Sequence, residues 1–181
     1  MIFQQTPLAG AFVIELEPQT DERGFFARTF CEREFAAHGL ALRYPQANTS
    51  FNRSAGTLRG MHWQVAPHAE AKLVRCTAGR IFDVIVDLRR GSSTCLGWFG
   101  AELSARNRTA LYVPEGFAHG FLTLEAESEV SYLMSESYAP DAARGMRFDD
   151  PRVGIAWPSR PILVSPKDLA YPEFADGMLQ S

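Results

Sequence analysis

Apolar and polar residues alternate in short runs along most of the chain, and such alternation is typical of half-buried β-strands. The clearest runs are AFVIELEP (11–18), KLVRCTAGRIFDVIVDLR (72–89), WFGAELS (98–104), TALYVPEGFAHGFLTLE (109–125) and EVSYLMSESY (129–138). Turn residues or polar clusters bound each run, and the 14 Gly and 11 Pro residues are spread throughout the chain. Within the second run, Ala78-Gly79-Arg80 predicts a hairpin or a bulged turn. The pattern therefore predicts many short strands.

A helical pattern occurs in one segment, CEREFAAHG (31–39), where Phe35 provides an apolar face and Gly39 stands where a glycine caps a helix C-terminus. One short helix among many strands predicts an all-β protein. Sheets with this many strands usually close into a sandwich or barrel, because closure removes exposed edges, and the mouth of a barrel is a ready ligand pocket. No linker divides the chain, so we expect a single domain over residues 1–181.

The composition narrows the classes of function. With 46% hydrophobic and 22% charged residues among 181, the chain is that of a folded globular protein, and a net charge of −3 provides no general attraction for nucleic acid. No run approaches the roughly 20 apolar residues that cross a bilayer, and the first residues lack the pattern of a signal peptide. Cys31, Cys76 and Cys95 lie far apart without a CxxC pair, so we expect free thiols. We predict a soluble, cytoplasmic protein with neither nucleic-acid nor membrane partners.

Cationic side chains are concentrated in the segment GTLRGMHWQVAPHAEAKLVR (56–75). Arg59 and Lys72 have the chemistry to hold phosphate oxygens, and His62 between them belongs to the residue type that most often acts as a general base. Each residue taken alone also fits a structural role, as a solvated surface charge or a histidine bonded to the backbone. The cluster as a whole favours an anionic ligand.

A second histidine lies in VPEGFAHGF (113–121), where Pro114, Gly116 and Gly120 predict a tight turn around His119. The spacing PxGxxH resembles the second conserved block of cupin barrels, in which that histidine often binds a metal. The first cupin block has an HxH pair, but here His62 is followed by Gln64 in the second position. Two histidines do not complete the three or four N/O ligands of an ordinary transition-metal site, so we predict metal-free chemistry without a cofactor.

Several blocks in a fixed order carry a family resemblance: DERGFF, LRGMHWQ, KLVRCTAGRIFDVIVDLRRGS, VPEGFAHGF, SYLMSESYAP, DDPRVGIAWP and SPKD. Together they closely resemble the dTDP-4-dehydrorhamnose 3,5-epimerases, a metal-free branch of the cupin jelly rolls. The resemblance extends from about residue 21 to Asp168, nearly the whole chain. It implies a cupin-type jelly-roll fold with one or a few short helices, a nucleotide-diphosphosugar substrate, and a homodimer in which N-terminal strands are exchanged.

The resemblance also implies roles for individual residues. The histidine of the LRGxHxQ block, His62, corresponds to the general base, and Asp168 of SPKD to its carboxylate partner. Lys72 corresponds to the cation beside the C4 carbonyl of the sugar, and Tyr132 to the proton donor on the opposite face. The positions implied to line the substrate are Arg23, Phe26 as an apolar wall, Gln46, Asn48, Arg59, His119, Tyr138 stacked on the nucleotide base, and Lys167.

Three positions depart from the family pattern, and each departure removes a carboxylate. Arg28 stands where the family commonly has Glu, Ala47 where it has Asp, and Ala142-Ala143 where a Glu is common after the stacking tyrosine. The four implied catalytic residues are retained. We therefore expect the reaction type to be kept, while the identity of the ligand stays open.

Other titratable residues are expected to have structural roles. Asp83, Asp87 and Arg89 in DVIVDLR have strand spacing and predict an ion pair or a turn. His38 and His68 are expected at the surface.

The predicted function is that of an isomerase, a 3,5-epimerase of a nucleotide-linked 4-keto-6-deoxy sugar in deoxysugar biosynthesis. A hydrogen next to a ketone is acidic enough for an enzyme base when the enolate is stabilised, and inversion needs an acid on the other face. Two alternatives stay open: an epimerase that inverts only C3 or C5 of another nucleotide sugar, and a non-catalytic cupin that binds a sugar nucleotide.

Overall fold

Two β-sheets face each other in the computed structural model, which describes residues 1–180. The first sheet is antiparallel, with the strand order β1 (Ile2–Gln5), β2 (Phe12–Glu15), β10 (Ala110–Val113), β7 (Lys72–Ala78), β12 (Ser128–Met134) and β5 (Gln46–Asn52). The second sheet has the order β13 (Ala143–Gly145), β6 (Thr57–Gln64), β11 (Phe117–Thr123), β8 (Arg80–Asp87) and β9 (Trp98–Ser104), with β14 (Leu163–Val164) parallel to β6.

The remaining elements are short. A separate hairpin consists of β3 (Gln19–Asp21) and β4 (Gly24–Phe26), and the helices are α1 (Glu32–Ala37), α2 (Pro166–Leu169) and a 3₁₀ turn at Asp176–Met178. The predicted fold class, an all-β jelly-roll sandwich of the cupin type with a few short helices, is confirmed.

The core between the sheets is formed by alternate residues of the central strands. Val74 and Leu111 of the first sheet pack there with Ile85, Phe117 and Phe121 of the second, and each is 3% exposed or less. Complete burial of such side chains contributes roughly 1.5–3 kcal/mol each. The period of two along each strand places their sequence neighbours on the outer faces of the sandwich.

Both outer faces are also covered. Phe35 of α1 is fully buried and packs against Phe12 and Tyr112 on the first sheet, while Phe148 and Phe174 of the C-terminal segment cover the second. The predicted helix is confirmed. It ends at Ala37, and the N–H of Gly39, at a φ of +68°, donates to the Ala36 carbonyl at 3.0 Å.

An irregularity in β6 determines which of its side chains point into the sandwich. His62 pairs with His119, and Arg59 with Phe121, so three residue steps in β6 match two steps in β11. The extra residue is a β-bulge, and it turns both Arg59 and His62 toward the interior. Gly60 lies within the bulge at a φ of +133°, and a Cβ there would come within 2.5 Å of the Gly120 Cα atom, so only glycine fits.

Two turn predictions have different outcomes. The hairpin between β7 and β8 is confirmed at Ala78-Gly79-Arg80, with Gly79 at a φ of +68°. The predicted tight turn around His119 is wrong, because His119 lies inside β11, which begins at Phe117 after the turn at 114–116. Burial of Phe117 and Phe121 requires an extended strand, and its period of two directs His119 inward with them.

Asp87, fully buried at the end of β8, organises the following loop. It accepts hydrogen bonds from Arg89 Nε at 2.9 Å, Ser92 Oγ at 2.6 Å and Thr94 Oγ1 at 2.7 Å. Burial by itself raises the pKa of Asp87, but these donors outweigh it and lower the pKa to about 2. The structural ion pair predicted for Asp87 and Arg89 is therefore confirmed, whereas Asp83 has a different partner, described below.

Several simpler expectations are met by the described part of the chain. His38 and His68 are exposed, and the three cysteines are free thiols. Over residues 1–180, no helix has the length and apolar content needed to span a membrane. The single domain expected over residues 1–181 stays a prediction.

Candidate active site

A histidine and an aspartate that are 106 residues apart in the chain form a close pair at one end of the sandwich. His62 Nε2 lies 2.7 Å from Asp168 Oδ1; the aspartate side chain is 5% exposed and the histidine side chain 41%. Burial by itself raises the pKa of Asp168, but the hydrogen bonds from His62 and from the Gly60 N–H outweigh it and hold the pKa below its ordinary value. The carboxylate is therefore ionised at neutral pH and accepts the Nε2 proton, which leaves Nδ1 able to accept another.

The SPKD segment explains how Asp168 reaches β6. Leu163 and Val164 run parallel to the start of β6, and the chain then turns into α2, whose N-cap is Ser165. The Ser165 Oγ atom accepts a hydrogen bond from the Asp168 N–H at 3.0 Å. Asp168 Oδ2 accepts from the Gly60 N–H at 3.3 Å. The bulge and the helix cap thus fix the aspartate from two sides.

Lys72, at the start of β7, places a buried ammonium group beside the histidine. Its Nζ atom donates to the His62 carbonyl oxygen at 3.3 Å and forms an ion pair with Glu70 Oε1 at 3.1 Å. The side chains of Lys72 and Glu70 are 7% and 6% exposed. A buried cation with a buried counter-ion provides a fixed positive charge within the site.

Tyr132 lies on β12 of the first sheet, across the cavity from His62 on the second sheet. Burial raises its pKa, the nearby Arg59 lowers it, and Glu70 raises it, with a net upward shift. The phenol therefore retains its proton at neutral pH.

Two further polar pairs point into the same space. His119 Nε2 lies 2.8 Å from Asp83 Oδ1, and both side chains are buried. Arg59 Nε donates to Asn52 Oδ1 at 2.7 Å. The structural role predicted for Asp83 is therefore incomplete, since its partner is a histidine of the cavity.

These side chains surround one cavity of about 310 Å³ between the sheets. All four predicted catalytic residues and three of the predicted substrate contacts line it. They are His62, Lys72, Tyr132, Asp168, Arg59, His119 and Lys167. Phe121 and Ser165 also line it and were not predicted.

An adjoining cavity of about 200 Å³ shares His62, Tyr132 and Lys167 with the first. Its wall contains the other predicted contacts of this region, namely Gln46, Asn48 and Tyr138. Tyr138 is 57% exposed, and its N–H donates to Gln46 Oε1 at 2.9 Å.

The residues of the adjoining cavity that were missed from the sequence include three titratable ones, Glu70, Arg144 and Tyr171. The Tyr171 ring contacts His62, with ring centroids 5.7 Å apart, and lies below the Lys167 ammonium. The pKa of Lys167 is raised by the interaction of this lysine with Tyr171. The sequence carries little signal for Tyr171, because it follows the SPKD block without alternation or a motif. Glu70 is two residues before Lys72 and lay within the cationic segment.

Two predicted contacts lie away from both cavities. Arg23, at the tip of the β3–β4 hairpin, has a side chain that is 88% exposed and forms an ion pair with Asp21; Phe26 is 72% exposed. Neither lines the cavities of its own chain. Their predicted role requires a second chain and stays a prediction.

Gln64 occupies the position of the second histidine of a cupin HxH pair, and both the oxygen and the nitrogen of its side-chain amide form hydrogen bonds with backbone groups. Oε1 accepts from the Ala139 N–H at 2.6 Å, and Nε2 donates to the His68 and Ser137 carbonyls at 3.0 and 3.2 Å. Within the described chain, no three His, Cys, Asp or Glu side chains are grouped as a metal ion would need. Metal-free chemistry stays a prediction.

A wider surface groove of about 810 Å³ lies on the outer side of the second sheet. It is lined mainly by apolar residues of the C-terminal segment, including Trp157, Ile162 and Leu163, together with the surface pair Arg147–Asp149. Its lining contains no histidine or tyrosine. The smaller pair of cavities is therefore the better candidate for chemistry, because acid, base and cation converge there.

Comparison with known proteins points to the same chemistry. The sequence model of the family described as dTDP-4-dehydrorhamnose 3,5-epimerase matches residues 5–176. A dTDP-4-dehydrorhamnose 3,5-epimerase of Sinorhizobium fredii is 42% identical over 177 residues, which cover 97% of this chain and 91% of that protein.

Solved structures agree. The crystal structure of dTDP-4-dehydrorhamnose 3,5-epimerase from Elizabethkingia anophelis superposes with a TM-score of 0.93 at 40% identity, covering 96% of each chain. ChmJ from Streptomyces bikiniensis, a 3'-monoepimerase in complex with dTDP-quinovose, has a TM-score of 0.85 at 33% identity, covering 93% of this chain and 85% of that one.

Proposed function

The chain belongs to the dTDP-4-dehydrorhamnose 3,5-epimerase family, and from this membership we propose how its paired cavities carry out the reaction. The enzyme is an isomerase of deoxysugar biosynthesis. It inverts C3 and C5 of dTDP-4-dehydro-6-deoxyglucose, the two carbons next to the C4 ketone, to produce dTDP-4-dehydrorhamnose. The observation that carries the mechanism is the convergence of His62–Asp168, Lys72 and Tyr132 on one cavity.

His62 is the base that removes the proton next to the ketone. Because Asp168 accepts the Nε2 proton, the imidazole is held in one tautomer with Nδ1 free. The negative charge of Asp168 also stabilises the imidazolium that forms when His62 takes up the proton.

Lys72 stabilises the enolate. As the proton leaves, negative charge develops on the C4 oxygen, and a fixed ammonium in a buried site lowers the energy of that charge more than it would in water. The contact of Nζ with the His62 carbonyl holds this cation next to the base.

Tyr132 returns the proton on the other face of the sugar. It belongs to the opposite sheet from His62, so a sugar ring in the cavity has the base on one side and the phenol on the other. The raised pKa of Tyr132 keeps the phenol protonated, as an acid must be.

The rest of the nucleotide sugar extends from the first cavity into the adjoining one. Arg59, His119 and Lys167 hold the sugar and diphosphate, Gln46 and Asn48 line the path, and the exposed ring of Tyr138 stacks on the base.

We place Arg23 and Phe26 in the site of a second chain within a homodimer. The exposure of both side chains supports this assignment, because Phe26 and the neighbouring Phe25 form an exposed apolar surface, which is typical of an interaction site. A cytoplasmic location belongs to this proposal as well.

The experiment is incubation of the protein with dTDP-4-dehydro-6-deoxyglucose in deuterated water, with NMR detection of the exchanged positions. A 3,5-epimerase incorporates deuterium at both C3 and C5. Exchange at a single carbon would identify a monoepimerase, the alternative that the similarity to ChmJ favours. Binding without any exchange would identify a sugar-nucleotide-binding module and refute the assigned chemistry.

A further inference from the structure

Glu70 is a buried carboxylate in the wall of the reaction site, and the mechanism above gives it no role. It precedes β7 by two residues, its side chain is 6% exposed, and it lines the cavity that adjoins the His62 site. Its partner Lys72 lines the other cavity. The ion pair of 3.1 Å therefore joins the walls of both compartments.

The geometry around Lys72 points to what Glu70 does. An ammonium has three N–H donors. Among residues 1–180, Nζ contacts the Glu70 carboxylate at 3.1 Å and the His62 carbonyl at 3.3 Å. The hydrogen bond to the His62 carbonyl and the charge of Glu70 thus fix the position of the nitrogen, and the remaining N–H donors are available to the cavity.

We propose that Glu70 is a positioning residue for the reaction: its charge holds the Lys72 ammonium in the place from which an N–H reaches the C4 oxygen of the substrate. This inference rests on the proposed function. It specifies how a flexible lysine side chain, with four rotatable bonds, becomes a preorganised donor for the enolate. Preorganisation matters because a donor that has to reorient as charge develops loses much of its stabilising effect.

The geometry of the site favours a role of the Glu70–Lys72 ion pair in the reaction over a purely structural role. A pair that served only stability would have no need to adjoin the base, yet the other anchor of Nζ is the backbone carbonyl of His62 itself.

Glu70→Ala, Glu70→Asp and Glu70→Gln test the proposal, each measured by deuterium exchange and by steady-state kinetics on dTDP-4-dehydro-6-deoxyglucose. Glu70→Ala removes the carboxylate, and Glu70→Asp withdraws it by one methylene. In both we expect kcat to fall about 10- to 100-fold, with KM within about threefold, because the lost interaction matters most in the transition state. Glu70→Gln keeps the size of the side chain but removes its charge, and it is expected to lower kcat as Glu70→Ala does.

A double variant shows whether Glu70 acts through Lys72. If it does, Glu70→Ala combined with Lys72→Ala has the same kcat as Lys72→Ala alone. Glu102→Ala is the matched control: Glu102 also forms an ion pair, with Arg80, but is half-exposed and far from the site, and its loss is expected to leave kcat unchanged.

Each outcome is decisive. If Glu70→Ala does not fold, as judged by circular dichroism, Glu70→Asp decides. Three results would overturn the proposal while the proposed function stands. They are full kcat in Glu70→Asp, a rise of KM in place of the fall in kcat, and a further loss of kcat in the double variant. Absence of exchange in the unmodified protein would overturn the proposed function as well, so the two failures are distinguishable.

Discussion

Replacement of Asp168 by asparagine tests whether the aspartate sets the proton on the base. Asparagine has nearly the shape of aspartate, so the cap at Ser165 and the packing of α2 are retained. The Gly60 N–H donates to Oδ2 and requires an acceptor there, so the amide oxygen of asparagine takes that position. The amide NH₂ group then faces His62 Nε2, in place of the oxygen that lies at 2.7 Å.

The consequence is the wrong tautomer. An NH₂ group donates to Nε2, so the imidazole carries its proton on Nδ1 and has no free nitrogen toward the substrate. The charge that stabilises the imidazolium is lost as well. Loss of a positioned base costs about 100- to 10,000-fold in rate, or about 3 to 5 kcal/mol of barrier, and we expect kcat to fall within that range.

The assay is the rate of deuterium incorporation at C3 and C5, followed by NMR under single-turnover conditions. Asp149→Asn is the control, since Asp149 forms a comparable pair with Arg147 on the surface. A rate for Asp168→Asn within about threefold of the unmodified protein would refute the reasoning. Asp168 would then not determine which nitrogen of His62 is free to act as the base.

Three further outcomes follow from the structure. His62→Ala should abolish solvent exchange at every carbon, whereas Tyr132→Phe should lose inversion while some exchange persists; full epimerisation by Tyr132→Phe would exclude the phenol as the acid. Asp87→Asn should lower the free energy of unfolding by about 2 kcal/mol, because the pKa of Asp87 is lowered from 3.8 to about 2. A lowered pKa of Asp87 stabilises the fold above pH 4. Denaturant titrations should therefore show the difference in free energy of unfolding shrinking as the pH falls from 4 toward 2. A difference that stays constant over this range would contradict the structural role of the Asp87 charge. Light scattering should give a mass of twice 20.1 kDa, as a homodimer requires. Mixing inactive Arg23→Ala subunits with inactive His62→Ala subunits should restore part of the activity, because one site of the mixed dimer then has both residues. A monomeric mass, or no recovery after exchange of subunits, would argue against the shared site.

Much of the site was predictable because its residues stand in short local blocks. His62 lies in LRGMHWQ and Asp168 in SPKD, and Lys72 and Tyr132 lie in runs whose alternation predicts strands. The fold class, the α1 helix and the β7–β8 turn likewise follow from patterns over fewer than 20 residues. Such patterns are local, so no tertiary information is needed to detect them.

The partners of these residues were decided by tertiary structure. His119 was expected in a turn, but burial of Phe117 and Phe121 extends the strand through it and brings it to Asp83, which the sequence assigned to an unrelated ion pair. Tyr171 reaches His62 only because the chain that follows α2 folds back over β6 and β13.

What the sequence by itself determined is therefore the set of strands, the family and the chemical types of the catalytic groups. Only the tertiary structure decided that a bulge at Gly60 turns Arg59 and His62 to the same side, and that Asp168 meets the histidine at 2.7 Å. The physical reason is distance along the chain. Periodicity and turn chemistry act over a few residues, whereas a pair separated by 106 residues is set by how the sheets pack and where the chain crosses between them.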